Sequence, residues 1–181
     1  MGEDRIARGR ANWAVRAPLH TWFAAQAERA GVELDRLRVL DVGCGSRPYA
    51  PLFSPYADAY VGVDSDARTA PDIVSGADEI PLEDGSFEVV ICSQVLEHVD
   101  DPERVVAELY RLAAPGGRVL ASTHGVQVYH PSPQDLWRWT HEGLARLFEQ
   151  NGAWSSVTVS PGAGTTATLT MLAATYSDLV F

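Results

Sequence analysis

The sequence predicts an α/β fold: a doubly wound, mostly parallel sheet with helices on both faces. Three observations point there. Short apolar runs repeatedly end in Gly or Asp, amphipathic helical stretches separate them, and no repeat or Pro/Gly/Ser linker divides the 181 residues. Strands alternating with helices at this spacing bury a parallel sheet from both sides.

The elements follow in order. Asn12 to Ala30 reads as a helix with Leu19, Phe23 and Ala27 on one face, closed by Gly31, with Pro18 as a break or a start. Arg38 to Val42 is an apolar strand ending at Gly43. Pro48 to Phe53 reads as a short helix, Ala59 to Val63 as a strand ending at Asp64, and Asp72 to Val74 as a brief third strand. Phe87 to Cys92 is a buried strand after the Asp84-Gly85 turn.

The next helix is signalled at both ends. Asp101 caps it, Pro102 suits its first position, and Val105, Val106, Leu109, Leu112 and Ala113 form its apolar stripe. Pro115-Gly116-Gly117 is expected to end it, with Arg118 to Ser122 as the next strand. Thr140 caps a further helix that stops at Gly152, and Val157 to Val159 reads as a strand. The tail from Thr165 to Phe181 fits either a strand or a helix, and its stripe of Leu169, Leu172, Ala173, Tyr176 and Leu179 favours the helix. The expected division is an N-terminal helical cap over 1–36 and a main domain over 37–181.

Bulk composition narrows the function. A net charge of −10 argues against a large phosphate-binding surface, so nucleic acid is not the expected partner. Cys44 and Cys92 show no metal-ligand spacing, no metal is expected, and a reduced cytoplasmic setting is the simple reading. The N-terminus mixes charges without an apolar core, and no run is long enough to span a membrane. The sequence leaves the oligomeric state open.

Ligands of such sheets bind beyond the carboxyl ends of the strands. Gly43 and Gly45 follow the first strand and let the backbone approach a ligand; Asp64 ends the second, where a carboxylate can accept from both hydroxyls of a ribose. A dinucleotide fingerprint would put a third glycine where Pro48 stands, and a phosphate-binding loop would need a Lys, of which the chain has none.

Leu40-Asp41-Val42-Gly43-Cys44-Gly45 resembles the glycine-rich motif of class I S-adenosylmethionine-dependent methyltransferases, which have a Rossmann-like sheet. The likeness continues through Tyr60 to Asp64, Ile80 to Val90, Gln94 to Val99 and Leu112 to Arg118, all in family order. The resemblance implies S-adenosylmethionine as cofactor. Gly43, Cys44 and Gly45 would line its methionine part, Asp41 would help hold its amino group, and Asp64 with Ser65 would bind the ribose. Gly76-Ala77-Asp78 falls at the adenine. Many members carry an Asp where Gly76 stands, leaving Asp78 or the Ala77 backbone as substitutes. Ser93 and Gln94 would face the methyl group.

Methyl transfer needs alignment and exclusion of water, and an alcohol acceptor also needs a base. The candidate bases are His98, His124 and His130. Leu96-Glu97-His98 recurs in relatives with different acceptors, so His98 equally reads as a loop-orienting residue. His130 to Thr140, rich in Pro and Trp, resembles a stretch of methyltransferases that accompany glycan or natural-product biosynthesis. It lies where acceptor specificity is expected, with Asp135 and Arg138 as acceptor-loop candidates. An ion pair that only pins the loop explains those two residues equally well. Arg16, in an Asn12-to-Arg16 stretch like one in many relatives, either meets the cofactor carboxylate or is an ordinary surface residue. The sequence therefore predicts methyl transfer to a small-molecule acceptor. A cofactor-binding relative without activity and an NAD-linked oxidoreductase are the alternatives.

Overall fold

The computed structural model describes residues 13–129, 131, 133–162, 164 and 168–173, with side chains from residue 16 onward. His130, and most of the Thr165–Phe181 tail, lie outside the described residues; within that tail, residues 168–173 are helical.

Among the described residues five strands form one parallel sheet in the order β3-β2-β1-β4-β5. They are β1 (Arg38–Val42), β2 (Ala59–Asp64), β3 (Ile73–Val74), β4 (Phe87–Ser93) and β5 (Ala113–Ser122). Helices α1 (Trp13–Glu33), α2 (Ala50–Phe53), α3 (Pro102–Leu112) and α4 (His141–Gln150) accompany them. The chain winds outward from β1 through β2 to β3, then returns to place β4 on the other side of β1. The order reverses between β1 and β4, where an open parallel sheet forms its ligand crevice.

The pleat sorts the strands' side chains between two cores. Leu40, Val42, Val90 and Cys92 pack with Val105, Leu109 and Phe148 under α3 and α4. Val39, Val89, Ile91 and Leu120 pack with Phe23, Ala27 and Ala30 of α1 and Phe53 of α2. With those three side chains fully buried, α1 is part of the layer that covers the sheet.

The caps form as their residue types dictate. The Asp101 carboxylate accepts the Arg104 N–H at 3.1 Å, and the Thr140 hydroxyl accepts the Gly143 N–H at 3.1 Å. Three sequence expectations are corrected. Gly31 does not close α1, which runs on to Glu33 and passes through Pro18. A Cβ at Gly31 would lie 2.4 Å from Tyr56 Cδ1, so this glycine admits the Tyr56 ring rather than ending the helix.

Pro115-Gly116-Gly117 lies inside β5, which starts at Ala113 directly after α3. The register against β4 shifts between Phe87 and Val89, and a Cβ at Gly117 would meet the carbonyl oxygens of Ala114, Glu88 and Phe87 at 2.8, 2.9 and 3.2 Å. The glycine is needed by a bulge, not by a helix end. Finally, Val157–Val159 is not a strand. It lines the same cavity as Val119 and Ala121 of β5 and is not paired with that strand.

Candidate functional site

The crevice is built at the carboxyl ends of β1, β2 and β4. Past Val42 the chain turns through Gly43 and Gly45, both left-handed at φ 69° and 48°. The Gly43 and Cys44 N–H groups donate to the Val63 carbonyl at 2.8 and 3.0 Å, folding the turn over the end of β2. A Cβ on Gly43 would stand 2.2 Å from Val95 Cγ2, whereas one on Gly45 would meet nothing within 4 Å. Gly43 is therefore required by both backbone and packing, and Gly45 by its backbone conformation.

Asp64 ties this turn together. Its Oδ2 accepts the Gly45 N–H at 2.9 Å and its Oδ1 accepts the Asp66 N–H at 2.8 Å. Each carboxylate oxygen keeps a second lone pair, so the group is held in position with capacity left for two hydroxyl donors. The neighbouring Ser65 is exposed. Beyond β3 the Ser75 N–H donates to the Asp64 carbonyl at 3.1 Å, which brings the 75–78 segment alongside. There a Cβ on Gly76 would lie 2.9 Å from Asp78 Oδ1. The Asp78 carboxylate occupies the room that a side chain at 76 would take, with Arg104 3.5 Å from its other oxygen. Ala77 packs against the core.

Asp41 is 2% exposed and accepts a hydrogen bond from the Tyr60 hydroxyl at 2.6 Å. Burial raises its pKa to about 6; the Tyr60 bond and the Arg47 charge oppose that rise. Cys44 is buried beside it, and burial together with the Asp41 and Asp64 charges pushes its thiol up, away from reactivity. Cys92 is fully buried and its thiol is pushed up by burial as well.

Across the crevice a chain of hydroxyls joins three elements. Tyr49 Oη lies 3.1 Å from Ser93 Oγ, Ser93 Oγ lies 2.8 Å from Ser122 Oγ, and Gln94 Nε2 donates to Ser122 Oγ at 3.2 Å. Gln94 takes a left-handed φ of 60° and its N–H donates to the Ser122 carbonyl at 2.8 Å, so its side chain is re-aimed where β4 ends. Arg16, near the start of α1, lies close enough to lower the Tyr49 pKa, while burial and Asp41 raise it. Sequence reasoning does not reach Tyr49, Tyr60 or Ser122. Ser122 stands at the end of β5 as Ser93 does at the end of β4, and that parallel position is the one signal it offers.

The three histidines part company. The His98 ring bonds through Nδ1 to the Gln134 carbonyl, and Gln134 Nε2 donates to the His98 carbonyl at 2.7 Å. These two bonds pin the segment around Gln134 to the turn that follows β4. His124 is 7% exposed, follows β5 and lines the cavity beside it. His130 lies outside the described residues.

Asp135 and Arg138 form a bidentate pair at 2.5 and 2.7 Å, with the Asp135 side chain only 2% exposed. Arg138 also donates to the carbonyls of Trp137 and Val128 at 2.7 and 3.2 Å. The pair therefore clasps the two limbs of the loop together. Among the described residues, no group of three or more His, Cys, Asp or Glu side chains is placed to hold a metal ion. No described helix is long and apolar enough to cross a membrane.

A crevice of about 500 Å³ opens beside these strand ends, lined among others by Gln94, Ser122, His124, Trp22, Phe148 and Trp154. A doubly wound sheet with a glycine turn after β1 and a fixed carboxylate after β2 defines a protein that binds a nucleoside cofactor. The chain belongs to the methyltransferase domain family, whose model matches residues 13–156.

A ubiquinone biosynthesis O-methyltransferase from Thiobacillus denitrificans is 33% identical over 117 residues, covering 56% of this chain and 48% of that protein. A protein of Mycolicibacterium smegmatis named as an S-adenosylmethionine-dependent methyltransferase is 36% identical over 103 residues, 51% of this chain and 40% of its own. The chain thus spans about half or less of the length of these curated relatives. The crystal structure of the YcgJ protein of Bacillus subtilis has the same fold, with a TM-score of 0.60 at 21% identity over 73% of this chain and 68% of its own.

The family's cofactor is S-adenosylmethionine, and the residues fit it. The cofactor is cationic at sulfur and nitrogen, and the crevice presents the carboxylates of Asp41 and Asp64 with two spare lone pairs on the latter. Nothing in the turn supplies the Lys that a phosphate-rich cofactor would call for. The NAD-linked alternative is set aside by the family match and by Pro48 at the third glycine position.

Proposed function

We propose that this domain transfers the methyl group of S-adenosylmethionine to a small-molecule acceptor held in the crevice beside β5. One observation carries the reading: the hydroxyl chain at the ends of β4 and β5 shares Gln94 and Ser122 with a cavity of about 500 Å³. That volume suits a small organic molecule with an apolar body and a few polar groups. The acidic balance of the chain speaks against a nucleic-acid substrate.

In this reading the cofactor supplies a methyl group on a positively charged sulfur, already bonded to a good leaving group. The protein's part is placement. Asp64 holds the ribose hydroxyls, Asp78 accepts from the adenine amine, and the turn at Gly43, Cys44 and Gly45 lies along the amino-acid portion. Asp41 neutralises the ammonium group. Ser93 and Gln94 line the reacting centre, and Trp22, Phe148 and Trp154 wall the acceptor off from water.

The test has two arms. Calorimetry should show S-adenosylmethionine and its demethylated product binding with micromolar-range affinity and NAD not binding. Labelled cofactor incubated with pooled alcohols, phenols, amines and thiols should then yield labelled product. Binding without any transfer would favour the alternative of a sensor or scaffold; equal binding of NAD would overturn the assignment of the cradle.

A further inference from the structure

Glu97 is fully buried, yet one of its carboxylate oxygens is left over. Oε2 accepts the Thr123 hydroxyl at 2.8 Å, while Oε1 has no hydrogen-bond partner among the described residues. His124 Nε2 lies 3.2 Å from that oxygen. The Glu97 carbonyl accepts the Leu136 N–H at 2.9 Å, so the residue also anchors the loop that overlies the site. An unpaired carboxylate oxygen in a buried site is costly, and the cost is relieved when the facing imidazole becomes a cation. His124 in turn lines the same cavity wall as Gln94 and Ser122.

We infer that Glu97 and His124 form a proton-accepting pair, with His124 the base and Glu97 its positioning residue, and that the acceptor is a hydroxyl compound. This rests on the proposed methyl transfer, and deepens it. A thiolate or a neutral amine attacks without a base, whereas an alcohol or phenol has a proton to lose. As the acceptor oxygen bonds to the methyl carbon, the carbon–sulfur bond breaks and its electron pair stays on sulfur. The acceptor's proton passes to His124 and from there to water.

Charged and titratable groups near Glu97 include His98 on the same turn, Cys92 of β4, and Arg138 with its partner Asp135 from the loop. Burial raises the Glu97 pKa, against the pull of a backbone hydrogen bond, the Thr123 hydroxyl and the His98 and Arg138 charges.

Three measurements test the inference. Binding of S-adenosylhomocysteine by calorimetry should be within about threefold of wild type in Glu97→Gln and His124→Ala; loss of binding in the wild type itself would sink the methyltransferase reading instead. In the product-saturated protein, the NMR titration of His124 should move to lower pH in Glu97→Gln, its proton affinity falling about tenfold or more; an unmoved titration overturns the pairing.

Labelled cofactor should methylate hydroxyl probes (catechol, 2-naphthol, benzyl alcohol) in preference to benzylamine and thiophenol. His124→Ala should lose that activity and recover part of it with added imidazole. Label found only on nitrogen or sulfur, no transfer to any hydroxyl probe, or full activity in His124→Ala overturns the proposal. Imidazole rescue does not depend on Glu97→Gln folding, so the base assignment stands or falls without that variant.

Discussion

The Asp64 carboxylate accepts the backbone N–H of Gly45 at 2.9 Å, and this bond joins the end of β2 to the turn that follows β1. The side chain expected to hold the ribose is thus also a brace for the glycine turn. Removing it should be felt in binding and in stability together.

Asp64→Ala should weaken S-adenosylmethionine binding by roughly 1–3 kcal/mol, about 5- to 150-fold in dissociation constant. It should also lower the melting temperature, because two backbone N–H groups lose their acceptor. Asp64→Asn, which keeps one oxygen, should recover part of the stability and little of the affinity. Calorimetry and thermal melts on the same samples separate the two effects, and an unchanged dissociation constant in folded Asp64→Ala would place the ribose elsewhere.

Cofactor affinity should rise with pH through the titration of Asp41. Its folded pKa of about 6 lies above the ordinary value of 3.8, so the folded state binds more protons than the unfolded state between those limits. The stability of the free protein is therefore fully supported by this group below about pH 4 and declines as pH rises to about 6, by up to roughly 3 kcal/mol. A bound cation reverses the preference, drawing a proton off Asp41. Binding near pH 5.5 should release protons, seen as a dependence of binding heat on the buffer. Asp41→Asn should abolish that dependence and raise the melting temperature of the free protein at pH 7–8.

Gly43→Ala should be more damaging than Gly45→Ala. Both positions have positive φ, a strain of roughly 1–2 kcal/mol for an L side chain, but only at Gly43 does a Cβ strike Val95, at 2.2 Å. Adding Val95→Ala to Gly43→Ala should restore part of the lost stability by relieving the clash, leaving the backbone strain behind. If denaturant melts of the double variant show no gain over Gly43→Ala, the Val95 contact is not what limits the turn.

Arg138→Gln and Asp135→Asn should destabilise the protein by roughly 2–3 kcal/mol, less than a wholly buried pair because Arg138 is partly exposed. Cofactor affinity should stay within about threefold, under ~1 kcal/mol. If the clasp alone matters, activity will fall only in step with the folded fraction. A loss of turnover per folded molecule would add a direct role toward the acceptor.

The strands and their capped helices were legible because each rests on local chemistry. Asp101 and Thr140 cap α3 and α4 with their own side chains, and the apolar runs of β1, β2 and β4 need only be buried on both faces. The glycine turn and Asp64 were legible for the same reason, since residue type and strand-end position carry the signal. Gly31 and Gly117 misled as helix breakers, because what demands a glycine there is a distant atom: the Tyr56 ring in one case, the carbonyls of Phe87 and Glu88 in the other. Val157–Val159 has the composition of a strand but lines a cavity with residues of β5 instead of joining its ladder.

By itself the sequence determined the α/β winding, and it pointed to the glycine turn and the strand-end Asp64 as the expected cofactor cradle. These depend on short-range patterns: apolar periodicity, caps, and turns that only glycine can make. The tertiary structure alone decided which polar groups meet. It brought Tyr60 to Asp41 across 19 positions, Glu97 to Thr123 across 26, and Tyr49 to Ser93 across 44. It also separated the histidines, fastening His98 to the loop and leaving His124 against Glu97. The physical reason is range: a cap or turn is settled by its neighbours in the chain, whereas a buried hydrogen bond is settled by what the packed sheet sets opposite it.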